Sequence, residues 1–373
     1  MRGLGTGALV CASVCAAQVD RTVDAMNRAI ERGDSGAYML CVDARDHQLA
    51  HEQRAWINDA IERGVGDLRI EIVGPERAGD DGSVVAPIRV SWVYKGRAES
   101  SAYDARFAPF AGGSDVYVYS GRDWGVERWV ESPRIRILGG VGREDLIEVL
   151  AEVTPGIVRV AQEELGRELD DVLVIKVYDT VDEIRHSISP AYTDPLSGWN
   201  EPDESIKILG RDGTTPDRVS ALVAHEVGHG VSFMYGESII DAPWWSLEGI
   251  AEIVSDPYKD TGAQERQLGV ARLVSRGERR GWDELADFRG AAMNHVRFVY
   301  TQGWSMVRFV GDEFGRDARN AWFARMGEGA TIDEASREVL GMGFDELDLE
   351  WTRAMREMAL AHEDDRESGS ADE

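Results

Sequence analysis

The spacing of hydrophobic residues changes along the chain and separates helical regions from strand-like ones. Between residues 20 and 62 hydrophobic side chains recur at helical spacing, as in Val23, Met26 and Ile30, which predicts amphipathic helices. From residue 68 to residue 138 they form short runs bounded by turns rich in glycine and aspartate, which is typical of antiparallel strands. Helical spacing then returns and dominates to residue 360. The pattern therefore predicts an α+β fold.

The strand-like region belongs to a predicted accessory domain of residues 18–140. Its strands are expected at 69–73, 84–94, 102–110, 116–120 and 124–130. Helices followed by a curved antiparallel sheet resemble the cone-like folds of the nuclear-transport-factor type. Trp92, Trp124 and Trp129 fall in these strands, where a tryptophan more often forms core than lines a pocket. Glycines in the segment 139–145 predict the join to a second domain.

The second domain is predicted over residues 141–360 and is mostly helical with a small sheet. Its last predicted strand lies at 205–209. A helix follows, for which Thr214 or Thr215 is expected to be the N-cap and Pro216 the first residue. The domain therefore presents a helix start shortly after a strand.

This helix carries an H-E-x-x-H sequence at residues 225–229. His225 and His229 share one helix face, with their Cβ atoms roughly 5–6 Å apart, so both imidazoles can bind one zinc ion. Glu226 lies beside the first ligand, where it can act as a general base on water held by the metal. Eighteen residues separate His229 from Glu248, which lies in a second apolar helical stretch. Two antiparallel helices would return this carboxylate to the histidines.

H-E-x-x-H and a W-x-x-E-G-x-A whose glutamate follows after 18 residues resemble the signature of the gluzincin metallopeptidases, especially the aminopeptidase branch and its small bacterial relatives. The resemblance implies His225, His229 and Glu248 as ligands of one zinc ion per chain, and Glu226 as the catalytic base. It also implies that Glu252 accepts a hydrogen bond from a ligand histidine, although the family more often has aspartate there. A peptide or protein is then the expected substrate.

The resemblance is looser outside residues 219–256. It implies that strand 205–209 forms the sheet edge that pairs with extended substrate, and that Tyr300 stabilises the oxyanion. A half-buried core tyrosine is the alternative for Tyr300, and His295 is a weaker candidate for the same role. The Gly-x-Met-Glu-Asn motif of the exopeptidases is missing from the sequence. Endopeptidase or narrow-specificity action is therefore preferred.

The chain is strongly acidic, with 68 acidic and 41 basic residues and a net charge of −27. An acidic surface repels nucleic acids and anionic membranes, so neither is expected as a partner. Acidic residues also dominate the end of the chain, which predicts a disordered tail at 361–373.

The first 17 residues predict a signal peptide. One arginine precedes an uncharged stretch of small apolar residues that is too short to span a bilayer and ends at Cys15-Ala16-Ala17. An exported protein is therefore expected, located in the periplasm, the cell envelope or outside the cell, without stable membrane insertion after cleavage. An ordinary N-terminal helix and a lipoprotein remain alternatives. Cleavage would leave Cys41 as the only cysteine, which excludes an internal disulfide.

Two other functional classes remain open. A zinc-binding scaffold or envelope protein without activity would keep the metal ligands but would not need Glu226. In a protein without any metal, the histidines would only pack on their helix. His47 and His51 also have the spacing of a metal pair, but no third ligand is evident near them, and they are interpreted as surface residues of a helix.

Overall fold

The computed structural model describes residues 6–79, 81–110, 116–193, 196–210, 215–288 and 290–369, and describes side chains only for those between 18 and 362. The α-helices are α1 (Thr6–Glu31), α2 (Ser35–Met39), α3 (His47–Glu62), α4 (Glu144–Leu165), α5 (Val181–Ile188), α6 (Pro216–Ser232), α7 (Trp244–Ser255), α8 (Ala263–Ser275), α9 (Val296–Phe314), α10 (Arg316–Gly327), α11 (Ile332–Ala335) and α12 (Phe344–Gly369). The strands are β1 (Gly66–Ile72), β2 (Arg77–Ala78), β3 (Val84–Tyr94), β4 (Arg97–Pro109), β5 (Tyr117–Arg122), β6 (Val126–Val130), β7 (Ile135–Gly139), β8 (Leu173–Tyr178), β9 (Gly198–Trp199) and β10 (Ile206–Leu209). Helices combined with an antiparallel and a mixed sheet confirm the predicted α+β class.

The first unit packs α1 to α3 against an antiparallel sheet with the order β1-β3-β4-β5, and β2 pairs with β3. Helix α1 is fixed to the sheet by polar contacts as well as by its apolar face. The Asn27 amide donates to the carbonyl of Ile70 and accepts from its N–H, both at 2.8 Å. Thr22 donates to the carbonyl of Tyr117 at 2.7 Å. These bonds satisfy backbone groups of the sheet that would otherwise be buried without partners.

The second unit contains a sheet with the order β6-β7-β8-β10-β9. Strands β7, β8 and β10 are parallel, whereas β6 and β9 are antiparallel edges. The predicted domain boundary at residue 140 therefore differs from the division between the sheets, which falls between β5 and β6. The reason is that Ile135 and Ile137 of β7 are fully buried in the core of the second unit, which α4 and α6 complete.

Three further expectations differ from the structure. Trp129 is 45% exposed because β6 is an edge strand, whereas Trp92 is buried as expected. Strand β10, predicted as a sheet edge, is covered by β9, so β9 is the edge. Helix α12 continues to Gly369, so the backbone of the predicted disordered tail is helical over its described part. A helix already nucleated by its packed segment gains one backbone hydrogen bond for each added residue.

The predicted signal peptide lies largely outside the described part of the chain. Its first five residues are not described, and for residues 6–17 only the helical backbone of α1 is described. Export therefore stays a prediction. Within the described residues, none of the helices combines the length and the apolar character that crossing a bilayer requires.

A buried ionic cluster joins the two units. Glu52 of α3 contacts Lys176 of β8 at 2.5 Å and Lys207 of β10 at 3.3 Å, and it accepts from the backbone N–H of Ser205 at 3.0 Å. Burial raises the pKa of Glu52, but the two lysines outweigh this effect and hold the pKa well below its usual range. The cluster anchors β10, the strand that precedes the histidine helix, to the first unit.

Glycines allow α6, α7 and α9 to pack closely. A Cβ on Gly228 of α6 would lie 2.9 Å from the Cα of Ala251, and one on Gly249 of α7 would lie 2.8 Å from the backbone of Gly303. A Cβ on Gly303 of α9 would overlap the carbonyl of Trp245. These contacts fix the distance between the helices that carry the candidate site.

Replacement of Gly303 by alanine is expected to lower the free energy of unfolding by about 1–3 kcal/mol, because the added methyl meets backbone that cannot rotate away. Gly269 in α8 is the matched control, since a Cβ there meets no atom within 4 Å. Alanine at Gly269 should leave stability unchanged or raise it by up to about 1 kcal/mol through its helix propensity. Urea unfolding followed by tryptophan fluorescence measures both variants, and equal shifts would contradict the close-packing argument.

Candidate metal centre

Helix α6 presents both histidines because of how it begins. Thr215 is its N-cap and accepts a hydrogen bond from the N–H of Arg218, while Pro216 is its first residue, as the sequence predicts. His225 and His229 lie one turn apart, and each is only 8% exposed. Two imidazoles are thus buried side by side near the end of one helix.

Helix α7 brings Glu248 to the same point. Glu248 Oε2 lies 3.1 Å from Nε2 of His225 and 3.5 Å from Nε2 of His229. The two Nε2 atoms are 3.2 Å apart. Trp244, one turn earlier on α7, donates from its indole N–H to Glu248 Oε1 at 2.7 Å, which leaves Oε2 directed toward the imidazoles. The three residues therefore offer three donor atoms that converge on one point.

The donor set fits a divalent metal ion. Zinc bound at about 2.0–2.1 Å in a tetrahedron has ligand atoms roughly 3.3 Å apart, close to the three distances between His225, His229 and Glu248. Burial would lower the pKa of His225, but hydrogen bonds to Glu248 and Glu252 outweigh it and raise the pKa to about 10. The two carboxylates thus stabilise a positive charge at the imidazole of His225, and either a proton or a metal ion can supply that charge. Three protein donors leave a fourth tetrahedral position for water or substrate.

A second carboxylate, that of Glu252, contacts the imidazole of His225 on the ring nitrogen that faces away from the donor cluster. Glu252 Oε1 lies 3.1 Å from Nδ1 of His225, which is the position that the resemblance implies. Its other oxygen contacts Lys259 and Arg266, and Arg266 also pairs with Asp256. Burial raises the pKa of Glu252, but the contacts to His225 and Lys259 outweigh it and lower the pKa to about 2. Glu252 therefore stays ionised and fixes Nδ1–H as the donor, which leaves Nε2 for a metal.

Glu226 lies next to the cluster but is not one of its three donors. It is 5% exposed, and burial raises its pKa. Gly198 of the edge strand β9 faces it so closely that a Cβ at that position would overlap the carboxylate. The neighbouring Asn200 donates to the backbone carbonyl of Glu226 at 3.0 Å. The carboxylate therefore lies between the histidine helix and the sheet edge.

Tyr300 and His295 differ in where the structure places them. Tyr300 lies on α9 with its ring nearly parallel to that of His225, at 5.5 Å between centroids. Burial and the carboxylates of Glu248 and Glu226 raise the pKa of its phenol well above the usual value. His295 instead contacts Glu284 at 3.5 Å and does not line the cleft. His47 and His51, taken from the sequence as surface residues, are both exposed on α3.

A cleft of about 1040 Å³ opens in front of the donor cluster. Its walls are largely apolar, with side chains from α6, α7, α9 and the connecting segments. The apolar residues of its lining include Trp199, Phe233, Leu247, Phe288, Met293 and Val296. Trp199 also has a buried indole N–H that meets no acceptor among the described residues. The cleft is large enough for several residues of a peptide.

Comparison of the sequence with known proteins identified no relative of this chain. No model of a protein family matches the chain, and none of the curated proteins matches it.

Replacement of Glu252 by glutamine tests the support of His225. The change keeps the shape of the side chain but removes the charge that fixes the imidazole, so zinc affinity should fall by about 10–100-fold. Competition with a chromogenic chelator measures the affinity. Glutamine at the exposed Glu265 of α8 is the control and should bind zinc like the original chain. Equal affinity of both variants would remove Glu252 from the site.

Proposed function

We propose that the chain is a zinc-dependent peptidase in which His225, His229 and Glu248 hold one zinc ion. The observation that carries the proposal is the convergence of three buried donor atoms from α6 and α7, with the carboxylate of Glu226 beside them. Bound zinc would polarise the scissile carbonyl and lower the pKa of water at the open position. This arrangement has the parts that hydrolysis of an amide requires.

Glu226 is proposed as the general base and later the general acid. Its carboxylate takes a proton from the attacking water and delivers it to the nitrogen of the leaving amine. Burial raises the pKa of Glu226, which brings it closer to neutrality and suits a group that both accepts and returns a proton. An inactive metal-binding scaffold would not need a carboxylate buried at this place without a metal-ligating role, which favours catalysis.

Tyr300 is proposed as a hydrogen-bond donor to the oxyanion of the tetrahedral intermediate. Its raised pKa keeps the phenol protonated at neutral pH, so the hydroxyl can donate. Its ring lies against His225, which places it beside the ligand cluster. If Tyr300 were only a core residue, its replacement would lower kcat no more than it lowers the fraction of folded protein.

The edge strand β9 is proposed to bind the substrate main chain. An extended peptide can add to a sheet edge through backbone hydrogen bonds, and β9 is the edge next to Glu226. The buried indole N–H of Trp199 on this strand can donate to a substrate carbonyl. The apolar cleft favours hydrophobic side chains near the scissile bond, and the sequence lacks the exopeptidase motif whose glutamate would hold a substrate N-terminus. We therefore propose an endopeptidase, exported if the predicted signal peptide is cleaved.

Digestion of a peptide library, with and without a chelator, tests the proposal. Mass spectrometry should detect internal cleavage beside hydrophobic residues by the purified chain. A chelator should stop the cleavage, and added zinc should restore it. A chain that binds zinc but cleaves nothing would instead be a metal-binding scaffold. A chain that binds no zinc would leave the histidines with a packing role alone.

A further inference from the structure

A second cavity, of about 520 Å³, lies between the two units and is separate from the metal cleft. One wall comes from the first sheet, and the other comes from β8 and helix α5. None of the three metal-ligand candidates lines it. Its volume falls within the roughly 300–1,000 Å³ of sites that bind small organic molecules.

Aromatic rings form much of its lining. These rings include those of Trp56, Trp92, Trp124, Tyr103, Tyr119 and Tyr178. Several of their polar groups already have partners, since Trp56 donates to the carbonyl of His186 at 2.9 Å and the hydroxyls of Tyr103 and Tyr119 lie 3.1 Å apart. Burial raises the pKa values of Tyr103, Tyr119 and Tyr178, so their phenols stay neutral. Flat, uncharged surfaces of this kind suit a planar apolar ligand.

Trp92 lacks a hydrogen-bond partner in this lining. It is 2% exposed, and its indole N–H has no acceptor among the described residues. The ring of His186 packs edge-on against it at 4.5 Å between centroids and does not serve as that acceptor. A buried donor left without a partner costs about 1–3 kcal/mol, and an acceptor on a bound ligand would remove that cost at Trp92.

Arg122 is one of the cations that line the cavity, and most of its N–H donors form no hydrogen bond to a described residue. Its guanidinium lies over the ring of Trp124, 4.9 Å from the centroid. Among the described residues it makes one side-chain hydrogen bond, to Glu183 at 3.3 Å. Glu183 also accepts from two backbone N–H groups at the start of α5. An arginine carries five N–H donors, so Arg122 can still bind an anion.

The other arginines and the lysine of the lining have closer carboxylate partners than Arg122 has in Glu183. Arg106, Arg136 and Lys176 have carboxylate partners at 2.9 Å, 2.8 Å and 2.5 Å. A ligand anion would therefore be directed to Arg122. Charge-assisted contacts from arginine to a carboxylate are among the stronger hydrogen bonds in proteins.

We propose that this cavity binds a small carboxylic acid with a flat aromatic body. Its carboxylate would pair with Arg122, its rings would lie among the tryptophan and tyrosine rings, and a polar substituent would accept from the indole of Trp92. The ligand would contact α5, whose Val181 and Arg185 line the metal cleft from the other side. The proposal does not depend on peptidase activity.

Titration of the full chain with 6-hydroxy-2-naphthoate and with the corresponding neutral amide tests the proposal. Calorimetry should show one acid bound per chain with a dissociation constant below about 1 mM, and binding of the amide at least about ten-fold weaker. The indole N–H resonance of Trp92, assigned by its loss in Trp92→Phe, should shift on addition of the acid.

Arg122→Gln should weaken binding of the acid at least about ten-fold and abolish the difference between acid and amide. Arg122→Lys keeps the charge but loses the fork geometry, so it should bind with intermediate affinity and serves if the glutamine variant does not fold. Two controls, Arg128→Gln outside the cavity and His229→Ala in the metal cleft, should bind the acid normally. Absence of saturable binding, full binding by both Arg122 variants, or loss of binding in His229→Ala would each overturn the proposal.

Discussion

Glu226→Gln is expected to lower kcat for peptide hydrolysis by about 10³-fold, with zinc still bound. Glutamine fills the same space as glutamate, so the packing against Gly198 of the edge strand persists. It cannot accept the proton of the attacking water, and so the base and the later acid are both lost. Because Glu226 is not one of the converging donors, zinc stoichiometry should not change.

Steady-state kinetics on a peptide found in the library digest, together with zinc analysis of the same preparation, measure the effect. Glu237→Gln is the matched control, since this exposed carboxylate lies just beyond α6 and does not line the cleft. The control should retain its activity. If Glu226→Gln retained activity within about ten-fold of the original chain, the role of general base would be refuted.

Glu248→Gln is expected to weaken zinc binding by more than about 100-fold, a larger loss than Glu252→Gln should cause. Glu248 supplies the donor that lies within 3.5 Å of both imidazoles, whereas Glu252 acts through His225 alone. The amide retains the acceptor for the indole of Trp244 but loses the negative charge that a divalent ion requires. Hydrolysis should fall with the loss of zinc and should recover partly when zinc is added in excess.

Chelator competition ranks the variants against the original chain, and circular dichroism checks their folding. The expected order of zinc affinity is original chain, then Glu252→Gln, then Glu248→Gln. If Glu252→Gln bound zinc more weakly than Glu248→Gln, then Glu252, and not Glu248, would be the carboxylate that binds the metal.

The candidate site was predictable where its parts lie close together in the sequence. His225, Glu226 and His229 share one helix, and Glu248 and Glu252 follow on the next, so helical spacing alone places them in register. Residues that arrive from elsewhere could not be found in this way. Lys259, which precedes α8, and Arg266 of α8 reach Glu252 because the chain folds back after α7. Gly198 of β9 and Asn200, which follows that strand, reach Glu226. The position of Trp244, four residues before Glu248, was the one available signal for the indole that orients that carboxylate.

The same distinction holds for the fold. Local spacing identified most helices and strands and the N-cap of α6. It did not show that β7 pairs with β8 across α4, because strand pairing depends on contacts between residues far apart in the sequence. A strand, a long helix and a second strand form a β-α-β unit, which favours parallel pairing and would have placed β7 in the second unit. The turn before β6, at residues 121–125, contains glycine and aspartate like the turns inside the first sheet, so it gave no sign of the change of sheet.

The central claim is that one zinc ion is held by two imidazoles and a carboxylate. X-ray absorption spectroscopy at the zinc edge, on the purified chain loaded with zinc, tests it most directly. The structure predicts one ion per chain with two imidazole ligands at about 2.0–2.1 Å and oxygen ligands beside them, and loss of one imidazole signal in His229→Ala. Zinc that is absent, or that is bound with the same spectrum after His229→Ala, would contradict the account.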